Sequence, residues 1–116
     1  HYINDVRGDM ESFDTANGTF ADLANFKDLA KHWAEMKGFA FAMQMSPKSP
    51  FRSDETALGN LGQVYTLMGD YPVLADGTQG GVAFAGGADQ YAADLLAARD
   101  IIEATYGFDS ENVAGW

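Results

Sequence analysis

The most regular hydrophobic pattern in the chain lies between residues 22 and 44. Apolar side chains recur there every three or four positions, at Phe26, Leu29, Trp33, Met36, Ala40 and Met43. This spacing places them in one stripe along an α-helix. The pattern stops at the segment 46–50, where two prolines each remove a backbone donor and restrict the preceding residue. The sequence therefore predicts a long helix over about 22–44 with one buried face.

A shorter helix is predicted at the start of the chain, over 2–13. Its apolar positions are three or four residues apart and comprise Ile3, Val6, Met10 and Phe13. The dipeptide Asn17-Gly18 is typical of a tight turn, because both residue types tolerate left-handed backbone angles. We therefore expect a turn over 14–19 between this first helix and the long one.

A third helix is expected after the proline segment, with Ser53 as its N-cap. Asp54 and Glu55 would lie in its first turn, where the helix dipole favours acidic side chains. Because Gly59 and Gly62 lower the helix propensity, this helix is expected to be short or irregular. Its apolar residues are Leu58, Leu61, Val64, Tyr65 and Met68.

The rest of the chain is predicted to form a loop, a final helix and a tail. Turn signals such as Asp76-Gly77 fill 69–87, and an ordered loop of that length usually has a function or wraps a surface. A helix is expected over 88–106, with Gly107 as its C-cap. Its inward-facing residues would be Ala92, Leu95, Leu96, Ile102 and Tyr106. In the tail, Trp116 is expected to fold back onto the body.

Four helices with little strand signal between them predict an all-α fold. The architecture would be a small bundle of about four helices with one long Gly-rich loop. The chain has 116 residues, of which 47% are hydrophobic, enough to bury one core. We therefore expect a single helical domain over 1–116.

The charge balance narrows the class of partner. Seventeen acidic and seven basic residues give a formal net charge of −10. Such a chain repels phosphate backbones and anionic membrane surfaces, which argues against nucleic-acid binding. The chain contains no cysteine, which excludes disulfide bonds and thiolate metal sites. Its apolar runs are shorter than the roughly 18 residues that a membrane-spanning helix needs, so no membrane span is expected in this segment.

The candidate site with the clearest chemistry is the pair His32 and Glu35. Three residues apart on the long helix, they share one face, an arrangement that helical bundles use to bind metals. The pair is therefore predicted to bind a metal or haem. Alternatively, the two side chains form a hydrogen-bonded pair at the edge of the core. A second candidate is a copper site formed by His1, with its amine, and His32.

The segment 30–40, which contains this pair, resembles a known family. Together with Ser46-Pro47, the stretch 72–77 and the helix that ends before Gly107, it is similar to an uncharacterised family of bacterial envelope proteins and lipoproteins encoded beside imelysin-like proteins. Imelysin-like proteins are helical bundles implicated in iron acquisition, and their signature is Gly-x-His-x-x-Glu. His32 and Glu35 match its last two defined positions, and Ala30 stands at the glycine position.

The resemblance implies a non-enzymatic protein of the periplasm or outer-membrane surface that assists metal, iron or haem acquisition. His32 and Glu35 would be the metal site, for iron or another transition metal. The 116 residues would be the C-terminal part of a longer protein, with the preceding part or another protein chain as partner.

Two other functions are compatible with the sequence. The first is a structural or assembly subunit with no ligand of its own, which packs on another chain through its apolar helices and the loop 71–87. The second is a metal-dependent hydrolase that uses His32 and Glu35. A hydrolytic zinc site usually takes three protein ligands, and the sequence shows two. We therefore expect the protein not to be an enzyme.

Overall fold

The computed structural model describes residues 1–20 and 22–116 and confirms the predicted all-α bundle. Within those ranges four helices form the body, namely α1 (Tyr2–Met10), α2 (Leu23–Met45), α3 (Glu55–Met68) and α4 (Gly87–Tyr106). A fifth helix, α5 (Ser110–Ala114), lies in the tail, and a 3₁₀ turn covers Pro50–Arg52. Two small antiparallel hairpins complete the structure: β1 (Phe13–Asp14) pairs with β2 (Thr19–Phe20), and β3 (Thr78–Gln79) pairs with β4 (Val82–Ala83).

Helices α1 and α2 pack against each other in antiparallel directions. Near one end of the pair Tyr2 stacks on Phe39, with ring centroids 5.0 Å apart, and near the other end Asp9 contacts His32. The residues that the two helices bury are Ile3, Val6, Met10, Leu29, Met36 and Ala40. This packing brings an acidic side chain of α1 next to the histidine of α2.

Helices α3 and α4 form a second antiparallel pair, and Tyr91, near the start of α4, lies where α4 meets the end of α3. The Tyr91 side chain is fully buried, and its hydroxyl donates to the Met68 carbonyl (2.7 Å) and accepts from Trp33 Nε1 (2.8 Å). Burial raises the pKa of Tyr91, against a smaller opposite effect of the Trp33 hydrogen bond. The hydroxyl therefore stays protonated at neutral pH and connects α4 with the end of α3 and with α2.

The linker between α2 and α3 is anchored in the core by Phe51. This side chain is 0% exposed and packs edge-on against Tyr106, with ring centroids 5.8 Å apart. Ser49 is also buried, and its hydroxyl lies 3.4 Å from the Tyr106 hydroxyl. Phe51 belongs to none of the hydrophobic repeats in the sequence, so the sequence pattern does not identify it as a core residue.

Three predictions about the helices are wrong. Helix α1 ends at Met10 instead of continuing to 13, because Phe13 pairs with Phe20 in the first hairpin. The N-cap of α3 is Asp54 rather than Ser53, since the Asp54 carboxylate accepts a hydrogen bond from the backbone N–H of Ala57 (2.9 Å). Helix α3 is also neither short nor irregular: it has 14 residues, because packing on its partner helix outweighs the low propensity of its glycines.

The predicted glycine-rich loop after α3 is built around the second hairpin. Gly69 ends α3 with a φ of 67°, and a side chain there would clash with Gln79, so both the backbone angle and the space favour glycine. The Asp76 carboxylate accepts hydrogen bonds from the hydroxyl (2.8 Å) and the backbone N–H (2.9 Å) of Thr78, and these bonds lower the pKa of Asp76. Val73 is fully buried, so the loop is attached to the core.

The tail folds back onto α1, as predicted for Trp116, and it contains α5. Asn4 donates through Nδ2 to the carbonyl oxygens of Val113 (3.0 Å) and Trp116 (2.7 Å). The Asn4 Oδ1 atom accepts from Arg99 Nη1 of α4 (3.1 Å). One side chain of α1 therefore holds both the tail and α4. No helix in 1–20 or 22–116 combines the length with the apolar character that crossing a bilayer requires.

Candidate functional site

His32 lies on α2 and is held by a carboxylate of α1. Its Nδ1 atom is 2.7 Å from Oδ2 of Asp9, and the two side chains are 23% and 16% exposed. Its hydrogen-bond partner lies on α1, 23 residues earlier in the chain, rather than on a neighbouring turn of α2. In the neutral ring this bond places the proton on Nδ1 and leaves Nε2 with a free lone pair. The structure thus orients His32 as metal-ligating histidines are oriented.

Glu35 follows His32 by one turn of α2. Its Oε2 atom is buried and has no hydrogen-bond partner among the residues described. Buried polar atoms in proteins normally have a partner, so an unpartnered one needs an explanation such as an ion or water. His32 forms its hydrogen bond with Asp9 and not with Glu35. The alternative prediction of a hydrogen-bonded His32–Glu35 pair is therefore wrong.

The number of nearby metal-ligating side chains is small. In the described part of the chain, His, Cys, Asp and Glu side chains nowhere gather in groups of three or more that could hold a metal ion. His1 does not join His32. Its Nε2 atom lies 3.3 Å from Asp5, whereas His32 contacts Asp9, roughly 12 Å further along α1 than His1. The predicted copper site at His1 and His32 is therefore wrong.

A cavity of about 290 Å³ lies at the other end of the α1–α2 pair. Side chains of α1, α2, α4, the end of α3 and the tail form its walls, and most are apolar, including Tyr2, Met36, Phe39, Met43, Met68, Phe108 and Trp116. Three of these aromatic side chains are solvent-exposed in the folded chain: Phe39, Phe108 and Trp116. The exposed aromatic residues at this end therefore gather around one concave surface.

Three ionisable residues also line this cavity. His1 is engaged with Asp5 (3.3 Å), and Glu103 accepts a hydrogen bond from the Ser110 hydroxyl. Arg99 donates through Nη1 to Asn4, but its Nε atom is buried and has no acceptor within residues 1–20 and 22–116. Among these three residues, Arg99 is thus the one with a buried hydrogen-bond donor that has no partner in the described part of the chain.

The outer face of α2 carries a second apolar stripe. Positions spaced three or four residues apart on the solvent side are Leu23, Phe26, Ala30, Ala34, Gly38, Phe41 and Met45, and all of them are exposed. Phe26 is 43% exposed and belongs to this outer stripe, so its prediction as part of the buried stripe is wrong. Helices that are apolar on both sides are usually covered on both sides in the assembled protein.

The charge near this outer stripe differs from that of the rest of the protein. The segment 27–52 contains five of the seven basic residues of the chain and only two of its seventeen acidic residues. Lys27 and Lys31, beside the stripe, are exposed. Of these five basic residues, Lys27 and Lys31 are the ones beside the stripe, so the outer face of α2 is an apolar surface with one lysine-bearing flank on a strongly acidic protein.

Lys37 of α2 differs from the exposed Lys27 and Lys31, because it has a structural role. Its ammonium group donates to the Gly69 carbonyl (2.6 Å) and lies 5.7 Å and 5.4 Å from the ring centroids of Trp33 and Tyr65. Burial lowers the pKa of Lys37, and the negative charge of Asp70 opposes that shift. These contacts connect α2 to the end of α3.

Asp9 and the cavity are the two features that sequence reasoning missed. Asp9 follows no motif, and the sole signal for it was an acidic residue beside the apolar positions of α1. The cavity combines residues from both ends of the chain, which no local pattern connects.

The chain matches no protein-family model, no curated protein and no solved structure in the comparisons with known proteins.

Proposed function

We propose that this chain is a non-enzymatic protein of the bacterial cell envelope that assists iron acquisition by binding haem or another chelated metal through His32, with Glu35 beside it. The observation that carries the proposal is the 2.7 Å contact between His32 Nδ1 and Asp9. A carboxylate on one ring nitrogen orients the ring, raises the basicity of the other nitrogen and is the usual outer partner of metal-ligating histidines. The resemblance to an imelysin-associated envelope family supports the location and the iron-related role.

The small number of protein ligands favours a metal that arrives already chelated. His32 Nε2 and Glu35 can supply two donor groups, and no group of three ligating side chains exists in the part of the chain that the structure describes. A bare structural or catalytic zinc ion usually takes three or four protein ligands. Haem iron, in contrast, can be held by a single histidine. The same count supports a binding role over a metal-dependent hydrolase.

We expect haemin to bind the purified protein and to produce the Soret shift of a histidine-ligated haem. Replacement of His32 (His32→Ala) should weaken binding at least about tenfold, and Asp9→Asn should weaken it about tenfold by releasing the ring. His1→Ala is the matched control, because His1 is the other histidine and also contacts a carboxylate. The proposal fails if the unmodified protein binds neither haemin nor ferric citrate, or if His32→Ala binds as tightly as His1→Ala.

The outer face of α2 favours a second candidate function, an assembly subunit. Its exposed apolar stripe, which includes Phe41 and Met45, needs a cover, and its basic flank suits a partner with acidic residues. A second copy of the same face would place lysines opposite lysines in a protein of net charge −10. The partner that fits is an amphipathic helix of another polypeptide, apolar along one stripe and acidic beside it.

The assembly role is tested with two synthetic amphipathic helices that share the same leucine stripe. In one peptide the stripe is flanked by glutamate, and in the other by lysine. We expect the glutamate-flanked peptide to bind and Phe41→Ser to weaken it at least about tenfold. Leu58→Ser, on the exposed surface of α3, is the control and should have no effect. Equal binding of the two peptides, binding of neither, or no loss with Phe41→Ser would contradict an assembly role for this face.

A further inference from the structure

We propose that the cavity between α1, α2, α4 and the tail is a binding site for a small molecule with an apolar body and one carboxylate, such as a medium-chain fatty acid. Arg99 would bind the carboxylate. This site goes beyond the proposed function, because it uses none of the residues at His32 and lies at the opposite end of the α1–α2 pair. Tyr2 is in its wall, whereas Asp9 is roughly 10 Å further along α1.

The size of the cavity suits a small ligand. Its volume of about 290 Å³ lies near the lower end of the range for small-molecule sites. A dry cavity of about 150 Å³ is sufficient to bind benzene, so a cavity of about 290 Å³ can hold an apolar group about twice the size of benzene. A saturated chain of medium length meets this condition, and its flexibility matches walls that contain methionine.

The walls explain why the body of the ligand should be apolar. Met36, Met43 and Met68 are joined there by aromatic side chains from both ends of the sequence. Methionine side chains adapt their shape to an apolar ligand because they are unbranched and flexible. Phe39 and Trp116 are half exposed in the folded chain, and the ligand would cover apolar surface that these two side chains otherwise expose to water.

The charges explain why the polar group should be an anion. Arg99 has a buried Nε donor that meets no acceptor in the described part of the molecule, and a carboxylate is the group that arginine binds best. The negative wall residue, Glu103, already accepts a hydrogen bond from Ser110. Asp100, 3.7 Å from Arg99 Nη2, is exposed to solvent and competes weakly for the guanidinium group.

The test compares three probes that differ only in their head group: decanoate, decanol and decylamine. Calorimetry on the full chain should give binding for decanoate that is at least about tenfold tighter than for decanol, with decylamine weakest. Methyl NMR locates the site, because Met36, Met43 and Met68 line the cavity whereas Met10 and Met45 do not. Decanoate should shift the first three methyl signals and leave the other two unchanged.

The Arg99→Gln variant should lose the preference for decanoate over decanol, and Arg99→Lys should keep part of it. Arg52→Gln is the control, since Arg52 is an exposed arginine outside the cavity wall. If Arg99→Gln does not fold, the contrast between the probes and the methyl shifts in the unmodified protein still decide. Equal binding of decanoate and decylamine, or shifts at Met10 and Met45 instead of the cavity methionines, would overturn the assignment.

Discussion

Phe51→Ala is expected to lower the free energy of unfolding by about 3–5 kcal/mol, the range for removing a fully buried aromatic side chain. Phe51 is 0% exposed and lies in the 3₁₀ turn between α2 and α3, edge-on to Tyr106 of α4. Its loss leaves a cavity where three elements meet. The turn cannot easily collapse to fill it, because Pro50 fixes the backbone on one side and Asp54 caps α3 on the other.

Urea unfolding followed by circular dichroism measures this change. Phe41→Ala is the matched control, because the same side chain is removed from a position that is 56% exposed. We expect the control to stay within about 0.5 kcal/mol of the unmodified protein. A loss below about 1 kcal/mol for Phe51→Ala would mean that the linker is not part of the cooperative core.

The sequence was sufficient to predict the helices whose limits are set by local chemistry. Helix α4 ends where Gly107 adopts a φ of 67°, and α2 ends before Pro47, as the residue types predict. Helix α1 was predicted too long because Phe13 continues its hydrophobic spacing. The side chain of Phe13 instead packs edge-on against Phe20 in a hairpin, a non-local contact that spacing does not reveal.

The two apolar stripes of α2 show a second limit of pattern reading. Phe26 fits the spacing of the buried stripe and of the outer stripe almost equally well, since a helical repeat of 3.6 allows steps of three or four. Which stripe is buried depends on where α1, α3 and α4 lie. Spacing alone does not identify the outer stripe as solvent-exposed, whereas the structure does, because Phe26 and Phe41 lie on the solvent side of α2.

The candidate site was predictable in part, for a related reason. Helical geometry places His32 and Glu35 on one face from their spacing alone. It gives no information on Asp9, because the antiparallel packing of α1 on α2 is what brings that carboxylate to His32 Nδ1. The cavity likewise depends on the tail, which Asn4 of α1 holds, and Asn4 also accepts from Arg99 of α4. Metal binding at His32 and Glu35 therefore stays a prediction, although the geometry now specifies which ring nitrogen would bind.

Tyr91→Phe is expected to lower the free energy of unfolding by about 2–4 kcal/mol, although it removes a single oxygen atom. That hydroxyl donates to the Met68 carbonyl (2.7 Å) and accepts from Trp33 Nε1 (2.8 Å), so its removal leaves two polar groups without this partner. A buried donor or acceptor that loses its partner pays its full desolvation cost. The ring of Tyr91 remains, so the change reports on the hydrogen bonds rather than on packing.

The pH dependence gives an independent check on the same group. Burial raises the pKa of Tyr91 in the folded protein, so its contribution to stability is complete below the ordinary tyrosine pKa of about 10 and declines as the pH rises above that value. The difference in stability between the unmodified protein and Tyr91→Phe should therefore narrow above about pH 10. Tyr71→Phe, at a position that is 59% exposed, is the control and should leave the stability at neutral pH within about 0.5 kcal/mol of the unmodified protein. A difference that stays constant up to pH 11 would show that the hydroxyl is not held as a buried donor, and that the junction of α2, α3 and α4 is joined by packing alone.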